Sequence, residues 1–265
     1  MILNGAVVVC LGNFLRQELR RTLECYGTGL VEDGPGLASA IGMGNMHATS
    51  SIVSALEEAV IETLNTCCDP ETSAHAQRLV PLVETLGRQL RLTAEEILLL
   101  RLSALLHDIG KAGIPPAILS KPGPLDDHEW RIIRRHPEIG QYSLLLAGGV
   151  FALLAPIVVA HHEAWNGSGY PSGLQGEDIP LLARILTVVD SYDAMTSCRA
   201  YGTTLSQDEA RRELRRCAGS QYDPRVVTAF LAVLDERNAQ TFPLGPALHT
   251  MIFSSQCRSV STNVA

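Results

Sequence analysis

Residues 98–111 read LLLRLSALLHDIGK. A nearly unbroken apolar run stops at His107-Asp108 and is followed by a Gly-Lys pair. Upstream, Thr93-Ala94-Glu95-Glu96 has the form of a capping box, in which a hydroxyl accepts the first free amides and Glu reaches back. The spacing therefore predicts a buried helix over Ala94–His107. An imidazole and a carboxylate at the end of a buried run cost desolvation unless something pairs them. A divalent metal pairs them well, and Asp108 can serve one ion or bridge two. An HD dipeptide alone is a weak signal, since a polar helix end reads the same way.

The pattern around this stretch is helical. Ser54–Leu64 and Glu71–Leu90 carry apolar residues at spacings of three and four, including Leu79, Leu82 and Leu86. Ser206-Gln207-Asp208-Glu209 repeats the capping box, and Asp126 with Glu129 does so less ideally. The period-2 alternation of strands is nearly missing. The expected fold class is all-α, a bundle of about eight helices. Leu144 to Ala160 is uncharged over its whole length but is split by Gly148-Gly149 and interrupted by Pro156. It reads as two buried helices joined by a turn, not a membrane span.

The chain has 265 residues, 46% hydrophobic and 18% charged, with a net charge of −7. That composition supports a full core and excludes wholesale disorder. The acidic balance gives no long-range pull on DNA or RNA. A phosphate substrate would need a local cationic site. The seven cysteines (10, 25, 67, 68, 198, 217 and 257) form no CxxC pair and read as reduced thiols, pointing to the cytoplasm. The start has its basic residues after the apolar run, unlike a secretory signal.

Three segments are expected: an N-terminal extension over 1–50, a helical domain over 51–237, and a loosely ordered tail over 238–265. Within the extension, Ala6–Leu11 reads as a short strand and Asn13–Cys25 as a helix. This faintly resembles the opening of a receiver domain, but the paired acids expected after the strand are absent.

Singly, a histidine beside apolar residues is more often a hydrogen-bonded core residue than a ligand. The metal reading comes from the sum. His75, His107, His136, His161 and His162, with Glu71, Asp108 and Asp190, are spread over successive helices beside apolar runs. Glu71 and His75 are one turn apart on one face. Imidazole and carboxylate without thiolate suit Fe, Mn, Co or Ni, and less exclusively Zn. Several ions together suit phosphoester hydrolysis.

Taken in order, HDIGKAGIPPAILSKPGPL, then His136, then HHEAWNGSGYPSGLQGEDIPLLARI, then VVDSYDAMTSCRAY resemble the HD-GYP domain, a subgroup of the HD phosphohydrolases. The resemblance covers about 70–234. It implies an HD-type helical bundle that hydrolyses cyclic di-GMP to pGpG and GMP with two or three divalent ions. His75, His107, Asp108, His136, His161, His162 and Asp190 fall on the family's ligand positions, with Asp108 bridging. Glu71 falls on a carboxylate that adds a third ion in some members. Lys111 falls on a phosphate-contacting lysine, and Gly169, Tyr170 and Arg199 on ligand-contacting positions. Tyr170 would offer guanine a stacking face, and Arg199 would hold a second phosphate.

Some residues depart from the pattern. Gly202 stands where many members carry a basic residue, which weakens one phosphate contact. Pro116 replaces a common Asp and suits a helix start. Asp193 neighbours Asp190 and is expected to support ligands by hydrogen bonding. Other signalling proteins are possible partners, and a homodimer is compatible with the composition. Two further readings stay open. One is an HD hydrolase for another nucleotide, and the other a cyclic-dinucleotide-sensing module without turnover.

Overall fold

The structure is a computed structural model and describes residues 5–25, 46–197 and 204–241. Among the described residues it is all-α, with only two isolated bridges and no strand. The helices are α1 (Gly5–Cys25), α2 (Met46–Cys67), α3 (Pro70–Gln89), α4 (Ala94–Leu106), α5 (Pro116–Leu119), α6 (Asp127–Ile133), α7 (His136–Ala147), α8 (Gly149–Val159), α9 (Leu181–Thr196), α10 (Gln207–Cys217) and α11 (Pro224–Thr241). A 3₁₀ turn over Ile109–Gly113 follows α4.

The caps behave as their residues require. Thr93 with Glu96, Asp126 with Glu129 and Ser206 with Glu209 all form complete capping boxes. The Asp126 box is as complete as the other two. Asp69 caps α3 by accepting from the Thr72 amide at 2.9 Å.

Two apolar clusters form the core. One joins α3, α4 and α8 to α9, α10 and α11 through Leu79, Leu86, Leu100, Leu186 and Phe230. The other joins α1, α2, α4, α7 and α8 through Leu15, Leu64, Leu105, Leu144 and Phe151. α4 contributes to both, so its C-terminal end is delivered to the middle of the bundle.

The strand expected over Ala6–Leu11 is instead the first part of α1. Its β-branched valines favour a strand locally, but packing decides otherwise. Leu11 and Leu15, one turn apart, are buried in the second cluster. A Cβ on Gly12 would stand 2.7 Å from the Leu146 Cβ, so glycine lets α1 lie close against α7. The Arg16 guanidinium donates to the Leu146 and Ala147 carbonyls, satisfying the last turn of α7.

Residues 144–160 form two helices. α7 ends at Gly148, whose φ of +72° suits glycine, and α8 starts at Gly149. Pro156 does not break α8; it faces outward, where the carbonyl it leaves unpaired can reach water. Among the described residues no helix is long and apolar enough to cross a membrane. α11 runs to Thr241, beyond the Arg237 boundary expected for the tail, and residues 242–265 lie outside the described residues.

Candidate metal centre

Six elements converge on one cluster. α3 supplies His75, the end of α4 His107, the 3₁₀ turn Asp108, the start of α7 His136, the turn after α8 His161 and His162, and α9 Asp190. His161 and His162 lie in the turn that follows the end of α8. The turn aims both rings at the cluster, with centroids 4.0 Å apart. Thr187 on α9 pins that turn, donating its hydroxyl to the His161 carbonyl at 2.8 Å.

The approach of α7 depends on Gly110. A Cβ there would lie 1.9 Å from the His136 carbonyl oxygen and 2.6 Å from the Gly140 amide. With no side chain at that point, His136 Nε2 reaches within 3.2 Å of Asp108 Oδ1.

Three histidines are oriented alike. Nδ1 of His107 faces the Ala104 carbonyl at 2.9 Å, His136 that of Ile133 at 2.9 Å, and His161 that of Val158 at 2.6 Å. A carbonyl only accepts, so each Nδ1 carries a proton and donates it. In the neutral ring, Nε2 is then left as a lone pair. His161 is held neutral: burial pushes its pKa well below the ordinary value, and the neighbouring histidines add to this. Burial likewise pushes His162 down to about 4.

These lone pairs face one another. His136 Nε2 and His161 Nε2 are 3.3 Å apart, and His107 Nε2 is 3.3 Å from Asp108 Oδ2. A cation bound among these nitrogen and oxygen atoms would satisfy them together. Separations near 3 Å are also what neighbouring ligands show around an ion with bonds of roughly 2.1 Å. Two ligand groups stand out, His75–His107–Asp108 and His136–His161–His162, each with its ligand atoms within 4.8 Å of one another. Asp190 Oδ1 joins the first, 2.9 Å from His75 Nε2 and 4.0 Å from His107 Nε2. Asp108 sits between the groups, one oxygen toward His136 and the other toward His107. The residues present thus fit a pair of divalent ions.

The carboxylates stay ionised despite burial. Burial alone would raise Asp108, but the Lys111 ammonium, 2.6 Å from Oδ2, and His107 hold it well below the usual range. Burial would raise Asp190 too, and its hydrogen bond with His75 outweighs that. Burial disfavours charge on His75, yet Asp190 and Asp193 lift its pKa to about 9.

His75 is steered from behind. Its Nδ1 is 2.7 Å from Asp193 Oδ2, and Arg78 donates to both Asp193 oxygens at 2.9 and 2.8 Å. Asp193 therefore orients a ligand, as expected, and Arg78, one turn beyond His75, orients Asp193. Asp193→Asn should weaken metal affinity about 10–100-fold. Titration against a chelator of known affinity reads this directly, and unchanged affinity would refute the positioning role.

The Gly169-Tyr170-Pro171 loop leans on the same cluster. Buried Glu163 accepts from the Ser172 and Leu174 amides at 2.7 and 3.1 Å, clamping the loop. A Cβ on Gly169 would lie 2.2 Å from the Ala164 amide nitrogen, so the loop needs glycine to pack there. The Tyr170–Pro171 bond is cis. The Tyr170 ring stacks on His162, centroids 4.8 Å apart, and the Arg134 guanidinium lies over it at 5.2 Å.

Of the residues expected from sequence, His75, His107, Asp108, Lys111, His136, His161, His162, Gly169, Tyr170 and Asp190 come together here. Glu71 is exposed on the first turn of α3 and belongs to neither ligand group. Arg199 and Gly202 lie outside the described residues. Sequence reading did not find the Glu163 clamp, Arg78 or Arg134. The first two had a signal: Glu163 adjoins the paired histidines, and Arg78 follows His75 by three.

Comparison with known proteins agrees with this geometry. A "cyclic di-GMP phosphodiesterase" from Vibrio cholerae is 39% identical over 206 residues, covering 71% of this chain and 42% of that protein. A "3'3'-cGAMP-specific phosphodiesterase 2" from the same organism is 38% identical over 167 residues, covering 63% of this chain and 32% of that protein. The chain thus spans well under half the length of these relatives. Among solved structures, "Bd1817, a HDG"Y"P protein" from Bdellovibrio bacteriovorus shares the fold at TM-score 0.53 and 17% identity, covering 82% of this chain and 78% of that one. The HD domain family model matches residues 59–226, well over half of the sequence, and the chain belongs to the HD domain family.

Proposed function

We propose that the chain is a metal-dependent phosphodiesterase acting on a cyclic dinucleotide, with cyclic di-GMP as substrate and pGpG or GMP as product. The observation that carries this is the convergence of imidazole nitrogens on the carboxylates of Asp108, which is buried, and Asp190, which is half-buried. Divalent ions held there supply an activated water and neutralise charge on the phosphoryl oxygens. Fe or Mn suits the donor set best, with Glu71 available to a third ion.

The protein's own groups do the rest. Asp108 and Asp190 stay charged, and neutral His161 and His162 keep their ligand atoms free of protons. The Lys111 ammonium lies at the rim of the cluster beside Asp108, where it can donate to a phosphate oxygen. The Glu163-clamped loop walls one side. The catalytic unit in this reading is 51–237, acting in the cytoplasm, and α1 braces α7, whose first residue is His136.

The relatives' names support both cyclic di-GMP and 3'3'-cGAMP as substrates. Anaerobic loading with Fe(II) or Mn(II), then chromatography of both nucleotides, tests the reading. Conversion of cyclic di-GMP to pGpG or GMP is expected. Faster loss of 3'3'-cGAMP would transfer the assignment, and metal binding with no turnover of either would favour a sensor.

A further inference from the structure

Arg134 closes α6 two residues before His136, and its side chain is exposed. Its guanidinium lies over Tyr170, the ring that packs against His162. Arg134 thus stands at the rim of the metal centre with Tyr170 beside it.

Most arginines near the core have acidic partners. Arg78 holds Asp193, Arg101 holds Glu57, and Arg184 holds Asp223. Arg134 makes no ion pair with any acid among the described residues. An aromatic face orients a guanidinium without neutralising it, so the charge stays available for an anion. The fork geometry suits a phosphate bidentately, which an ammonium cannot match.

A cyclic dinucleotide carries two phosphodiesters, and only one can lie at the metal cluster during cleavage. We infer that Arg134, held by Tyr170, is a specificity-determining contact for the other phosphate. The inference rests on the phosphodiesterase reading above. It also changes the part expected of Tyr170: the ring is already engaged by His162 and Arg134, so it presents a cation to the substrate instead of a bare stacking face.

The test uses the full chain loaded with Mn(II), as wild type, R134Q and R134K, at matched metal content. Steady-state kinetics are measured on cyclic di-GMP and on bis(p-nitrophenyl) phosphate, which has a single phosphate. R134Q should raise KM for the dinucleotide about ten-fold or more relative to the small diester, with kcat changing less than KM. R134K should recover only part of the loss. An equal KM change on both substrates, or none on the dinucleotide, overturns the contact while leaving the activity standing. A wild type that cleaves the small diester but neither binds nor cleaves any cyclic dinucleotide overturns the substrate reading and this contact with it.

Discussion

Asp108→Ala is expected to lower cyclic-dinucleotide turnover by roughly 10³-fold or more, the rate equivalent of losing several kcal/mol of metal-supplied stabilisation. Asp108 lies between the two ligand groups, with Oδ1 3.2 Å from His136 Nε2 and Oδ2 3.3 Å from His107 Nε2. Its removal takes a negative charge from the buried site and leaves the Lys111 ammonium without its 2.6 Å partner. Repulsion from that cation further disfavours an ion nearby. Bound metal per chain should therefore fall along with activity. Asp108→Asn keeps the shape but not the charge and should resemble alanine more than wild type. Elemental analysis beside chromatographic rates checks both, and a variant within two-fold of wild type in each would remove Asp108 from the centre.

Gly110→Ala should be the most destabilising single methyl among the described glycines. The added carbon would sit 1.9 Å from the His136 carbonyl oxygen, a backbone atom that no rotamer change can move. The approach of the 3₁₀ turn to α7 must open, costing about 3 kcal/mol or more. For a chain of this size that is a fall in Tm of roughly 6–12 °C. The same opening separates His136 from Asp108, so metal affinity falls even where the variant folds. Thermal unfolding of the metal-free proteins isolates the packing effect from ligand loss, and a shift below 2 °C would contradict the steric account.

The candidate ligands stood out because their chemistry is local: a polar pair ending an apolar helix has few meanings, and the ordered motifs narrow them further. The fold class followed from helical spacing and capping boxes, which depend on neighbours three and four residues away. The rest depends on contacts between distant segments. The valine-rich start of α1 looked like a strand because the decisive partner, α7, lies more than a hundred residues downstream. The geometry of His161-His162 is set by a turn that Thr187 pins from α9. Glu163 adjoins the paired histidines in sequence, but its role in clamping the loop through two amides shows only once the loop is folded back on it. Gly110 and Gly169 sit in visible motifs, but only the packed backbone shows why neither tolerates a Cβ.

These histidines and aspartates are expected to form a metal centre able to hold more than one ion. The most direct measurement is metal per chain in the wild-type protein, reconstituted anaerobically with Fe(II) or Mn(II) and freed of excess ion. Two or more ions per chain, displaced together by chelator along with phosphodiesterase activity, is the predicted result. A chain that retains no metal and still cleaves the substrate would contradict the account.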